Sequence, residues 1–151
     1  MSRLLAVDLG ERRIGLAFAD ELDGIVRPLA TIRRGSAERD ADVIGRIAAE
    51  HGVDTIVVGL PSNMDGSEGS QAMLTRDWAA KMSTKLDLPV CWRDERLTSI
   101  ASEAALGPPA RGRSGGPPSR AANARRRAQV DREAARRILQ AELDARAGVR
   151  R

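Results

Sequence analysis

Asp8 is the residue whose setting most clearly calls for chemistry. It lies in Leu4-Leu5-Ala6-Val7-Asp8-Leu9-Gly10, an apolar run closed by a glycine. A carboxylate in such a strand is costly to bury unless something pairs with it. A metal ion is the partner that best offsets that cost. Two further acids can join it: Glu95 follows the last short apolar run, and Asp131 stands beside Val130, on the edge of an apolar stripe in an arginine-rich segment. If the first and last strands are neighbours, and the helix carrying Asp131 packs on them, the three carboxylates surround one point. Such a cluster is repulsive unless a cation neutralises it, and hard carboxylate oxygens select Mg2+ or Mn2+. Two such ions about 4 Å apart can activate a water and stabilise the leaving oxygen of an in-line phosphodiester displacement. Taken singly, Glu95 and Asp131 have a simpler reading as ion-pair partners of Arg93, Arg96 or Arg132, and surface pairs of that kind say little. Asp65 and Asp94 are reserve ligands, though each is better read as a cap or turn residue.

The basic residues supply the complementary half of a nucleic-acid site. From Arg111 to Arg137 the chain is crowded with arginine, whereas the first hundred residues are near charge balance. A local arginine excess suits a phosphate-rich partner, though it also makes a soluble helix face. Arg120, Arg125, Arg126 and Arg127 stand just before Asp131 and are suited to clamp phosphates beside the acids. Arg12 and Arg13 lie in the turn after Asp8; Arg13 can reach a phosphate or balance the nearby acids.

These residues need elements to position them. The first apolar run and Arg12 to Ala17 read as a β-hairpin, with Gly10 in the turn. Ile25 to Ile32 is a third strand, and Pro28 within it suits a sheet edge. Ser36 to Glu50 has helical periodicity, with Val43, Ile44, Ile47 and Ala48 on one face and Gly52 as the stop. Thr55 to Leu60 is β-branched and apolar on both faces, the pattern of a central parallel strand. The loop Pro61 to Ser70 follows its carboxyl end, where α/β folds place ligand contacts. Gln71 to Leu86 is a second helix, and Leu88 to Trp92 a last strand that delivers Arg93 to Thr98. Ser99 to Leu106 reads as a short helix. Gly107 to Ser119 holds four of the seven prolines and four glycines, a composition that favours a mobile segment. A helix resumes at Ala121, with Val130, Ala134, Ile138 and Leu139 as its stripe. Antiparallel strands first and β–α alternation after them indicate an α/β mixed sheet with helices packed on it, in one domain over residues 1–151.

Composition removes several classes. Tyrosine is absent and only one phenylalanine and two tryptophans occur, too few for a binder that works by stacking on bases. One cysteine, Cys91, allows no internal disulfide, and His51 cannot build a zinc site with it. No stretch approaches the roughly 20 apolar residues of a membrane helix and no secretory signal is visible, so the expected location is the cytoplasm, with no membrane partner.

Four groups of residues resemble the motifs of one family. They are Asp8-Leu9-Gly10 with Arg13-Ile14-Gly15-Leu16-Ala17; Gly59-Leu60-Pro61 with Asn63, Asp65-Gly66-Ser67 and Gly69; Asp94-Glu95-Arg96-Leu97-Thr98; and Asp131 with Ala134-Ala135 and Ile138-Leu139-Gln140. All four, in order from about Leu4 to Leu143, are similar to the YqgF family, Holliday-junction-resolvase-like proteins also described as pre-16S ribosomal RNA nucleases. The resemblance implies a ribonuclease H-like fold and a divalent-metal site in which Asp8, Glu95 and Asp131 are the metal-binding and catalytic acids. It places the 59–69 loop at the cleft, with Asn63 a substrate contact and Arg96 and Thr98, beside Glu95, further candidates. Two features depart from the family: Ala19 precedes Asp20 where a serine is common, and the segment before the last helix is Gly-Pro-Arg-rich rather than lysine-rich.

The function expected is a metal-dependent endonuclease that matures the 5′ end of pre-16S ribosomal RNA. Cutting branched DNA is the near alternative; a symmetric junction needs two cuts and therefore a dimer, and the sequence leaves monomer or homodimer open. A non-catalytic RNA-binding factor of ribosome biogenesis is a third possibility. A sugar kinase or chaperone-type ATPase also begins with Asp-x-Gly on a first strand, but needs two such domains around its nucleotide.

Overall fold

The computed structural model describes residues 1–61, 69–94 and 119–150, and their side chains except those of Asp94, Arg127, Ala128, Asp131, Val149 and Arg150. Five strands form one sheet in the order β3-β2-β1-β4-β5: β1 (Arg3–Leu9), β2 (Arg13–Asp20), β3 (Val26–Arg33), β4 (Thr55–Leu60) and β5 (Val90–Asp94). The first three are antiparallel, and β4 runs parallel to both β1 and β5. The mixed α/β sheet expected from the sequence is therefore present. β3, with Pro28, is an edge strand, and its register with β2 shifts between Leu16 and Ala17. Every residue of β4 is buried, as a strand covered on both faces requires.

Alternation along β1 divides its side chains between two cores. Leu5, Val7 and Leu9 pack with Ile44, Ala48, Trp78 and Met82 of helices α1 (Ala37–His51) and α2 (Ser70–Leu86). Leu4 and Ala6 pack on the opposite face with Ala135, Ile138 and Leu139 of α3 (Arg120–Arg150). Thus α1 and α2 cover one face and α3 the other. The helix expected over residues 99–106 and all but Ser119 of the segment expected to be mobile lie outside the described residues.

Local signals set the helix ends. The Ser36 hydroxyl accepts from the Arg39 amide at 3.2 Å and starts α1. Gly52 closes it at φ 63°, where a Cβ would also stand 2.6 Å from Arg3 Nη1. Asp40, a buried acid of α1, accepts from the Gly35 amide at 2.8 Å and the Trp78 indole at 3.3 Å, which ties α1 to α2.

Asp54 fastens the start of β1 to β4. Its carboxylate accepts from the Arg3 amide at 2.9 Å and the Thr55 hydroxyl at 2.8 Å. Burial pushes its pKa up, but these bonds, with one from Ser2, outweigh it and hold the group below the usual carboxylate value. A depressed folded pKa stabilises the fold fully above the unfolded pKa of about 3.9, and that stabilisation is lost as pH falls through the folded value. Asp54→Asn is therefore expected to lower the melting temperature at pH 7, with the gap to wild type closing below about pH 3. Thermal melts across that range are the check; a gap independent of pH would deny the carboxylate this role.

Candidate active site

The parallel strands β1, β4 and β5 end at one edge of the sheet, and Asp8 lies there. It follows Ala6 on the alternation, so it belongs to the face that α3 covers, and it is half-buried. Its register partner on β2 is Gly15, which in turn pairs with Thr31 of β3. On the other side Val7 pairs with Val58, so Asp8 comes level with Gly59, whose partner on β5 is Arg93. One row therefore crosses all five strands on the α3 face: Thr31, Gly15, Asp8, Gly59, Arg93. Neither flanking residue puts a side chain beside the carboxylate. The strand positions on either side of Asp8 are thus both glycine, and a carboxylate in such a row is a suitable ligand for a cation.

The first and last strands are not neighbours, as the simplest meeting of Asp8 and Glu95 would have had them: β4 lies between β1 and β5. Two strand spacings, about 10 Å, separate their backbones. Parallel alignment still brings both carboxyl ends to the same edge, where the Asp94 backbone pairs with Leu60. Glu95 itself lies outside the described residues, as do Asn63, Arg96, Thr98 and Asp65.

Helix α3 crosses the sheet antiparallel to β1. Its first turns, at Ala124, border the same cleft as the β1–β2 turn, and its far end, at Arg146, reaches Glu21 beside Ser2. Position 131 is one helical turn before Ala135, about 6 Å nearer the Asp8 edge. Asp8 is two residues beyond Ala6, about 7 Å towards that same edge. Ala6 and Ala135 belong to one packed cluster, so positions 8 and 131 advance together from it. Arg120, Arg125 and Arg126 lie on the turns before position 131; Arg120 and Arg125 are exposed and Arg126 is half-buried, and Arg127 is on the same helix. Arg13 is half-buried at the start of β2, on the Asp8 face. Among the described residues, no three His, Cys, Asp or Glu side chains form a metal-binding group.

A buried charge network fixes where α3 sits along the sheet. Arg93 Nη2 meets Glu142 Oε2 at 3.1 Å, and Arg146 spans Glu142 at 3.5 Å and Glu21 at 3.1 Å. The Ser2 amide donates to Glu21 at 3.1 Å, and Arg146 also touches Cys91 Sγ at 3.7 Å. The Glu21 and Glu142 side chains are only 3 % and 7 % exposed, so their charges depend on these partners. Burial disfavours the Arg146 charge, yet Glu142 and Glu21 outweigh it and hold its pKa above the ordinary guanidinium value. Glu21, which reads in the sequence as part of a polar turn, is thus a buried partner of α3. Arg93, a candidate partner for Glu95 or Asp131, pairs with Glu142. Glu142 follows Ile138 at helical spacing on the sheet-facing stripe, and a charge on that stripe is the signal by which it could have been found. On the same helix Glu133 is held below the usual carboxylate range by hydrogen bonds from Arg136, against the effect of burial and with help from Arg137.

Beside Asp8 the β1–β2 turn is braced. The Gly10 amide donates to the Arg13 carbonyl at 2.8 Å, the Arg34 amide to the Arg12 carbonyl at 2.9 Å, and Arg34 Nη1 to the Gly10 carbonyl at 3.1 Å.

Comparison with known proteins places this geometry. A family model described as "RuvX: Holliday junction resolvase" matches residues 2–145. A protein of Anaeromyxobacter dehalogenans strain 2CP-C named "Putative pre-16S rRNA nuclease" is 46 % identical over 147 residues, 96 % of this chain and 98 % of its own. A protein of Synechococcus elongatus with the same name is 45 % identical over 140 residues, covering 93 % of this chain and 87 % of its own. Among solved structures, Thermus thermophilus RuvC aligns with a TM-score of 0.54 at 13 % identity, covering 97 % of this chain and 96 % of that one. RuvC of the same organism in complex with a Holliday junction substrate aligns with a TM-score of 0.53 at 14 % identity. The sheet and helix arrangement is thus the ribonuclease H-like one that the sequence motifs imply.

Proposed function

The chain belongs to the RuvX family of Holliday junction resolvases, the same family that its motifs resemble under the name YqgF, and from that membership we propose that it is a metal-dependent endonuclease that matures the 5′ end of pre-16S ribosomal RNA. The observation that carries the reading is the setting of Asp8, between two glycine positions at the edge where the parallel strands end. Asp8, Glu95 and Asp131 would hold Mg2+ or Mn2+, since their hard oxygens suit those ions. When bound, such an ion supplies charge to the scissile phosphate and lowers the pKa of an attacking water.

The chain's own residues do the rest. Gly15 and Gly59 leave the strand surface beside Asp8 open to a phosphodiester. Arg120, Arg125, Arg126 and Arg127 approach along α3 and neutralise the phosphates on either side of the reacting one. Arg13 contributes from the β1–β2 turn. Asn63, Arg96 and Thr98, which follow β4 and β5 in the sequence, are the further residues that would contact the substrate.

The family description itself favours a second reading, cleavage of a four-way DNA junction by the same residues. The two are separated by incubating the protein and Mg2+ or Mn2+ with a precursor carrying the 5′ leader of 16S ribosomal RNA and, in parallel, with a four-way junction. Cleavage of the RNA at a defined position, with the junction intact, is the expected result. The reverse preference assigns the chain to junctions. Cleavage of neither removes the nuclease reading and leaves an RNA-binding factor.

A further inference from the structure

Beyond the row that contains Asp8, the sheet opens into a cleft of about 720 Å³, lined by Glu11, Arg12, Arg13, Thr31, Arg33 and Arg34 with Ala124 of α3 at its wall. Among the described residues, four arginines and one carboxylate line it. Arg13 pairs with Arg33 across β2 and β3, two residues along from the row in which Thr31, Gly15 and Asp8 lie level. Thr31 is thus two strand spacings, about 10 Å, from Asp8 on the same face. The cleft is rigid on its turn side, because Arg34 is bonded through its backbone to Arg12 and through its guanidinium to Gly10. Arg12 and Arg33 are exposed. Like charges gathered in one cleft make a positive field that draws a polyanion, and Glu11 offsets only part of it.

We propose that this cleft clamps the sugar–phosphate backbone of the substrate strand beside the scissile bond, through Arg12, Arg13, Arg33 and Arg34. The contact is to backbone and not to bases, since the described lining residues offer guanidinium groups and no aromatic surface. It rests on the nuclease reading for the identity of the strand but makes a separate claim about binding.

The test is fluorescence anisotropy with the labelled precursor RNA, without divalent metal, over a series of salt concentrations, for wild type, the double variant Arg12→Gln/Arg33→Gln and Arg46→Gln as an exposed control on α1. The double variant is expected to bind roughly 10- to 100-fold more weakly near 0.1 M salt, and its slope of log affinity against log salt to fall by about two contacts. Arg46→Gln keeps the wild-type slope, and all three proteins keep one melting temperature. A double variant with the wild-type slope overturns the clamp, as does a wild type that shows no saturable binding. Cleavage by wild type is measured separately. Loss of slope in a protein that cleaves nothing upholds the clamp and defeats the nuclease reading; cleavage with an unchanged slope does the opposite.

Discussion

Asp8→Asn is expected to lower the rate of RNA cleavage by at least about 1000-fold, with the fold intact. The amide has the shape of the carboxylate but lacks the charge that a divalent ion and its activated water require. The carboxylate is half-buried at the end of an apolar strand, so its charge gives up part of its hydration on folding. Removing the charge should therefore leave the metal-free melting temperature unchanged or raise it. That pairing of lost activity with retained or increased stability is what separates a functional acid from a structural one. A structural Asp8 would give the opposite pair, a lower melting temperature and a rate that tracks the folded fraction. Melting curves and single-turnover rates on the same preparations distinguish the two.

The second large effect is at the other end of α3. Glu142→Ala leaves Arg93 and Arg146 facing one another with their shared carboxylate gone. Breaking a buried pair by removing one partner costs about 3–5 kcal/mol, and since both arginines here are partly exposed, about 2–3 kcal/mol is expected. For a chain of this size that is a drop of roughly 5–10 °C in melting temperature. Glu142→Gln keeps the shape and one acceptor, and should fall about half as far. Replacing Glu142 with Leu together with Arg93→Met and Arg146→Met removes the charges as a set, and should restore most of the loss. Because the network sets the position of the helix that carries Asp131, cleavage by Glu142→Gln should fall even at temperatures where the variant remains folded. A Glu142→Ala melting temperature within 1 °C of wild type, against the drop estimated from burial, would mean that the network contributes nothing to holding α3.

The strands and helices were legible because each has a simple period bounded by a simple stop. Thr55 to Leu60 is apolar on both faces because helices cover both; Pro28 marks an edge because it cannot complete a ladder. Gly52 ends α1 where the sequence says it should, because only glycine takes that conformation without strain. Asp8 stood out because a carboxylate does not belong in that strand. The strand order was less accessible. Nothing local in Thr55 to Leu60 or Val90 to Asp94 says that β4 separates β1 from β5, and the pairing of distant strands is decided by the whole sheet. The glycine flanks of Asp8 were visible as letters but not as neighbours, since Gly15 and Gly59 come level with it only in the folded register. Glu21, 125 residues from Arg146, looked like one more acid in a polar turn, and burial alone distinguishes it. The Arg33–Arg34 pair is visible in the sequence as two cations at the end of an edge strand, but only the fold brings it to the turn that follows Asp8.

The central claim is that Asp8, Glu95 and Asp131 act together on one divalent cation site, and Mn2+ binding tests it most directly. Free Mn2+ is followed by electron paramagnetic resonance as it is titrated into wild type, Asp8→Asn, Glu95→Gln and Asp131→Asn, without nucleic acid. The predicted result is saturable uptake by wild type and an affinity at least about tenfold weaker in each of the three variants, as expected when one charged ligand is lost from a shared site. Equal Mn2+ affinity in all four proteins would contradict it.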